Sequence, residues 1–106
     1  MSDLVFVNKR VVGRMEGRVF VQEITARHIF RQDQAKGMDK FVYRELKGRC
    51  DTWRLIFQDT KQVLEIPIAE VEKVRLTRLG KGAGEQYLVP LARFQEIRAI
   101  MQTKLI

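Results

Sequence analysis

The residues of this sequence that are best suited to chemistry are basic, and they fall into two groups. The first group surrounds a predicted hairpin early in the chain, and the second flanks a glycine-rich connection at residues 80–84. A guanidinium donates two parallel hydrogen bonds to a phosphate, and arginine outnumbers lysine here by 12 to 8. Both groups are therefore predicted to contact nucleic-acid phosphates. The candidate binding residues are Arg10, Arg14 and Arg18 in the first group, and Arg75, Arg78 and Lys81 in the second.

The overall charge indicates the same class of partner. Twenty basic residues against 13 acidic residues give a formal net charge of +7 over 106 residues, which is typical of proteins that meet polyanions. The alternative partner is an acidic protein, docked through charge and through pairing with an exposed strand edge. One continuous basic face favours nucleic acid, whereas scattered charge beside an exposed apolar patch favours a protein.

Aromatic side chains near the cations bear on how a nucleic acid would be held, because exposed rings stack on the bases of single strands. The rings closest in sequence to the basic residues are Phe20, Phe30 and Tyr43. We expect all three in the core. The sequence therefore predicts binding through phosphate charge, with an affinity that falls with salt and little sequence preference.

Catalytic and metal-binding chemistry lacks the residues that it needs. His28, Cys50 and Ser2 are the only histidine, cysteine and serine of the chain. A zinc site takes several Cys, His or carboxylate ligands, and a catalytic nucleophile needs a base within reach. Residues 80–84 are rich in glycine but do not form a P-loop motif. We therefore expect a protein that is not an enzyme and has neither a cofactor nor a metal.

The single cysteine and the first residues of the sequence predict a compartment. One cysteine cannot form an intramolecular disulfide, which is typical of proteins in a reducing environment. Residues 1–10 contain an acid and no long apolar run. We therefore expect no signal peptide, no membrane span and a cytoplasmic location.

Apolar alternation predicts the strands that position the basic groups. A turn at Glu16 and Gly17 joins the strands of the first basic hairpin, and the turn at residues 59–61 belongs to the clearest hairpin of the chain. The predicted strands cover residues 4–7, 10–15, 18–24, 53–58, 63–68, 74–79 and 86–89.

One short helix is predicted in the middle of the chain. Asp39 is placed as its N-cap, and Phe41, Val42 and Leu46 are its apolar positions. A strand over residues 40–46 is the alternative, because apolar and polar residues also alternate there. The polar residues 32–37 before the helix are predicted to form a loop.

A short motif occurs twice and holds both prolines of the chain. Residues 66–74 read IPIAEVEKV, and residues 89–97 read VPLARFQEI. Proline has no backbone N–H and a fixed φ, so it suits the end of a strand or the first turn of a helix. Each copy therefore predicts a strand that ends at proline and turns into a helix.

The second copy also begins a longer apolar stripe, from which we predict a C-terminal helix over residues 90–105. The predicted fold class is α+β, in a single domain over residues 1–106. It consists of an antiparallel sheet or a partly open small barrel, with a short central helix and a C-terminal helix packed on it. In its strand count and terminal helix, this arrangement over residues 18–105 resembles the pleckstrin-homology-like scaffold. The stripe is formed by Leu91, Phe94, Ile97, Met101 and Leu105.

Overall fold

The computed structural model describes residues 3–29, 34–78 and 84–97. Within these ranges the chain forms mostly strands, with a single α-helix and short 3₁₀ helices, so the α+β class is confirmed. The strands are β1 (Asp3–Val7), β2 (Arg10–Glu16), β3 (Val19–Ile24), β4 (Ala35–Asp39), β5 (Thr52–Phe57), β6 (Val63–Pro67), β7 (Leu76–Arg78), β8 (Glu85–Pro90) and β9 (Gln95–Glu96). The helices are α1 (Lys40–Leu46) and the 3₁₀ helices η1 (Ala26–His28), η2 (Ile68–Lys73) and η3 (Leu91–Arg93).

The strands form two sheets, and the described strands do not close into a barrel. The larger sheet has the order β1-β2-β3-β5-β6-β9, and the smaller one has the order β4-β8-β7. Neighbouring strands are antiparallel except β3 and β5, which run parallel from the pair Val19 and Thr52 onward. The predicted antiparallel arrangement therefore holds for the described strand pairs other than this one. The chain leaves the larger sheet after β3, builds β4 and α1, and returns in its original direction, as parallel pairing requires.

The first three residues of strand β4, residues 35–37, belong to a segment that was predicted to form a loop. Ala35 and Met38 are buried, and β4 pairs with β8 from Ala35 and Pro90 to Asp39 and Gln86. The local sequence is polar and contains glycine, so it carries little strand propensity of its own. Its conformation is set by a partner strand that lies far away in sequence.

Helix α1 confirms the predicted central helix and its N-cap. The Asp39 carboxylate accepts a hydrogen bond from the Phe41 backbone N–H at 2.7 Å, which satisfies one of the free donors of the first turn. Val42, Tyr43 and Leu46 are buried and form the inner face of the helix. The Tyr43 hydroxyl also donates a hydrogen bond to Glu72 on η2, which fixes α1 against the second half of the chain.

The two copies of the proline motif have the same local structure. Pro67 lies at φ −59° and ψ 136° before η2, and Pro90 lies at φ −57° and ψ 136° before η3. In each copy, the residue after the proline donates its backbone N–H to the residue just before another strand. Ile68 donates to the carbonyl of Asp51, before β5, and Leu91 donates to the carbonyl of Gln34, before β4, both at 2.8 Å. The predicted strand that ends at proline and continues into a helical turn is therefore confirmed in both copies.

The two copies also exchange strands between the sheets. After Pro67 the chain passes from β6 in the larger sheet through η2 to β7 in the smaller one. After Pro90 it passes from β8 in the smaller sheet through η3 to β9, which pairs with β6. Each copy thus pairs with the other in both sheets, since β6 pairs with β9 and β7 pairs with β8.

The C-terminal helix is not shown, and its predicted beginning is wrong. Residues 91–97 form η3 and the short strand β9 where an α-helix was expected. The physical reason is that β9 pairs with β6, and that the Ile97 N–H bonds to the carbonyl of Val63 at 3.1 Å. Residues 98–106 of the predicted helix lie outside the described ranges. With two open sheets, a parallel pair and no terminal helix in the described part, the resemblance to the pleckstrin-homology-like scaffold is not supported.

Both sheets share one core, which includes the apolar faces of the β5–β6 hairpin. Trp53, Leu55 and Ile66 are fully buried there. The Phe94 ring meets the Trp53 ring edge-on with centroids 5.4 Å apart. This contact joins β5 to the end of the second proline motif.

Candidate nucleic-acid interface

Arg14, in the first predicted group, is held by two carboxylates of its own sheet. Its Nε lies 2.6 Å from Glu16 Oε2, and its Nη1 lies 2.8 Å from Glu23 Oε2. Hydrogen bonds to Glu16 and Glu23 raise the pKa of the Arg14 guanidinium. The charge of Arg14 is thus balanced on the sheet surface, and its donors are engaged within the fold.

Arg18 is also engaged, at the turn between β2 and β3. Its Nε and Nη2 donate to the two oxygens of Asp51 at 2.7 and 3.1 Å. The Asp51 N–H in turn donates to the Arg18 carbonyl at 2.8 Å. The Arg18 guanidinium lowers the pKa of Asp51. This pair joins the hairpin turn to the start of β5.

Arg10 does not share a face with Arg14, although residues four positions apart lie on the same face of a regular strand. The register between β1 and β2 shifts, so that Val5 pairs with Gly13 but Phe6 pairs with Val11. The additional residue on β2 is a β-bulge, which reverses the alternation of faces. Arg10 pairs with Val7, whose side chain packs against the core, whereas Arg14 lies on the outer face. The first group therefore does not form a continuous stripe of cations.

Three cations surround one carboxylate at the junction of α1 and the β7–β8 pair. Lys40 Nζ lies 2.7 Å from Glu85 Oε1, and Arg78 pairs with Glu85 across the strands. The hydrogen bond from Lys40 lowers the pKa of Glu85, and the charges of Lys40, Arg78 and Arg44 lower it further. We call Lys40, Arg44, Arg78 and Glu85 the helix–hairpin cluster. Within the described ranges, neither Arg44 nor Arg78 has a carboxylate at ion-pair distance.

An exposed aromatic ring lies between two cations of the helix–hairpin cluster. Phe41 is 45% exposed, and its ring centroid lies 5.1 Å from Lys40 Nζ and 5.6 Å from Arg44 Cζ. Phe20 and Tyr43 are buried as expected, and Phe30 lies outside the described ranges. Phe41 was not predicted as a site residue, because its apolar side chain was expected on the inner face of α1. The signal that identifies it is its position between Lys40 and Arg44, which lie one helical turn apart.

The other two residues of the second predicted group do not add to the cluster in the described structure. Arg75 is exposed and precedes β7 by one residue. It lies three positions before Arg78, and extended backbone directs side chains at this odd spacing to opposite faces. Lys81 lies outside the described ranges. Asp39 lies nearby, since a Cβ added at Gly84 would be 3.8 Å from its Oδ2.

The described residues show few features of a reactive thiol, a metal site or a membrane-spanning helix. Cys50 is buried, and burial raises the pKa of its thiol, which disfavours the reactive thiolate. No cluster of three or more metal-ligating side chains occurs among the residues described. The only α-helix within these ranges is α1, and none of the described helices is long and apolar enough to cross a membrane. Comparison with known proteins found no matching family model, no matching curated protein and no matching solved structure.

Proposed function

We propose that this protein is a non-enzymatic module that binds single-stranded nucleic acid through the helix–hairpin cluster. The observation that supports it most directly is the exposed Phe41 ring between two cations, beside a third cation on β7. Arg44 and Arg78 contribute charge that the described carboxylates do not pair. Such a surface combines the two elements of single-strand binding, which are backbone charge and a ring for base stacking.

The arginines and the Phe41 ring are expected to contribute to the binding affinity in different ways. Phosphates that approach Arg44 and Arg78 release condensed counterions, so this part of the affinity falls as salt concentration rises. Stacking of a base on Phe41 contributes about 1–3 kcal/mol and depends little on salt or sequence. The first predicted group contributes less, because Arg14 and Arg18 already have carboxylate partners. Arg10, Arg75 and Lys81 stay predicted contacts.

An acidic protein is the alternative partner of the same cations. It would engage Arg44 and Arg78 through its carboxylates, but it would have no bases to stack on Phe41. The exposed ring is the observation that favours nucleic acid over an acidic protein. A polyanion without bases, such as heparin, therefore separates the two possibilities.

The test is a salt titration of binding to mixed-sequence single-stranded DNA and RNA, with heparin as the comparison. Arg44→Ala and Arg78→Ala should each reduce the salt slope by about one phosphate contact. Phe41→Ala should weaken binding to the single strands about tenfold and leave heparin binding unchanged. Arg93→Ala is the matched control, since it removes an exposed arginine on η3. Absence of binding at low salt, or an equal loss in Arg93→Ala, would refute the proposal.

A further inference from the structure

The outer face of β1 and β2 carries a contiguous set of exposed apolar side chains. Leu4 and Phe6 are each 56% exposed, and Val11 is 53% exposed. Phe6 pairs with Val11 across the strands, and Leu4 pairs with Arg14. Cross-strand partners lie on the same face of a sheet, so the three apolar side chains are neighbours. A groove of about 300 Å³ continues from Leu4 and Val11 along β2 and β3.

β1 is also the edge strand of the larger sheet. Its neighbour in that sheet is β2. In the described part of the chain, no backbone hydrogen bond joins the outer edge of β1 to another segment. Proteins usually protect such edges with proline, lysine or an inward-pointing charge. The interior of β1, from Leu4 to Val7, contains none of these residues.

The charges at the two ends of β1 indicate which strand fits this edge. Asp3 begins the strand, and Lys9 and Arg10 follow its other end. Two such strands in antiparallel pairing bring the acidic end of each close to the basic end of the other. A pairing centred on Val5 also places Leu4 opposite Phe6 of the second copy, which extends the apolar face across the junction. A partner strand of uniform charge would complement only one of the two ends.

We propose that the protein forms a twofold homodimer by antiparallel pairing of β1 with β1 of a second copy. The two larger sheets then become one continuous sheet, and the apolar patches formed by Leu4, Phe6 and Val11 adjoin each other. This interface is separate from the helix–hairpin cluster. Of the residues that this interface uses, only Arg10 is also a predicted nucleic-acid contact.

The test measures the molar mass of the full chain by sedimentation over a range of protein concentrations. The expected result is a reversible dimer. Phe6→Lys should weaken dimerisation about 10- to 100-fold, because it removes a large apolar side chain from the junction and places two like charges there. Circular dichroism should show an unchanged fold, since Phe6 is largely exposed in the monomer.

A charge exchange gives the specific control. Asp3→Lys should weaken the dimer, and combining it with Lys9→Asp and Arg10→Asp should restore it. A protein that is monomeric at every concentration overturns the proposal, as would a dimer that is insensitive to Phe6→Lys. A dimer that responds to Phe6→Lys, but not to the charge exchange, overturns the antiparallel pairing.

Discussion

Arg14 and Arg78 carry the same charge, but their surroundings give them different roles. Arg14 is fixed between Glu16 and Glu23, so two of its N–H donors and its charge are engaged within the sheet. Arg78 shares a single carboxylate with two other cations. An exposed ion pair contributes little to stability, with a typical value below about 1 kcal/mol. The nearest carboxylates therefore determine which arginines remain available to an external anion.

Lys36 is a cation in an unfavourable environment. Burial lowers the pKa of its amine from the ordinary value of 10.5 to about 8. Its Nζ donates to the Gly37 carbonyl at 2.7 Å and lies 5.7 Å from the centre of the Trp53 ring. These contacts offset only part of the cost of removing the charge from water.

Lys36→Met should make the protein more stable near neutral pH. Below about pH 8 the folded protein holds Lys36 charged, and this lowers the free energy of unfolding by about 1–3 kcal/mol. Between about pH 8 and pH 10.5 the folded state releases the proton while the unfolded state keeps it, so the penalty disappears as pH rises. The advantage of the variant should therefore shrink over this range.

Urea unfolding of the wild type and Lys36→Met at several pH values measures this effect. Lys61→Met, which changes an exposed lysine, provides the control and should follow the wild type. Parallel pH profiles for Lys36→Met and the wild type would show that the buried amine carries no such penalty.

At the scale of elements, strand β2 requires a residue without a side chain next to its bulge. A Cβ at Gly13 would lie 2.6 Å from Cε1 of Phe20 and 2.7 Å from the Val21 carbonyl oxygen. The Phe20 ring is fully buried and occupies the space that a side chain would need. Glycine is therefore required for steric reasons at this point of the sheet.

Gly13→Ala should destabilise the protein by about 1–3 kcal/mol, because the added methyl group overpacks the core. Part of the clash is with the Phe20 ring, so combining Gly13→Ala with Phe20→Leu should cost less than the sum of the two single changes. Chemical unfolding of the three variants and the wild type measures this coupling. Strict additivity would contradict the assigned contact.

The elements that could be predicted from the sequence are those whose signals are local. Asp39 identified the start of α1, and the prolines identified two corners with nearly equal dihedral angles. Strand β4 and the short strand β9 could not be predicted, because each is defined by pairing with a distant segment. In the candidate site, Arg78 was predicted from its charge. Phe41 was missed because α1 has only seven residues, so its apolar pattern does not distinguish the inner face from the outer face.

At the scale of the whole molecule, the exchange of strands and the shared core lead us to expect that the two sheets unfold as one cooperative unit. Phe94 follows η3, packs on Trp53 of the larger sheet, and corresponds to Val71 in the first copy of the motif. Both side chains are buried in the shared core. Loss of either one should therefore disturb both sheets.

Phe94→Ala should lower the free energy of unfolding by about 3–5 kcal/mol. Far-ultraviolet circular dichroism and Trp53 fluorescence should still report the same unfolding midpoint, because neither sheet retains a complete set of neighbours without the other. Val71→Ala tests the corresponding position of the first copy, and the two probes should again report the same unfolding midpoint. Separate midpoints for the two probes would show that the sheets unfold independently.

The burial of Cys50 supplies an internal reporter for these measurements. Its thiol is the only one in the chain, and it is buried within the segment that connects α1 to β5. An alkylating reagent requires an accessible thiolate, so labelling waits for the surrounding structure to open. The labelling rate therefore measures how often this region opens, and a variant that loosens the fold should be modified faster without any introduced probe.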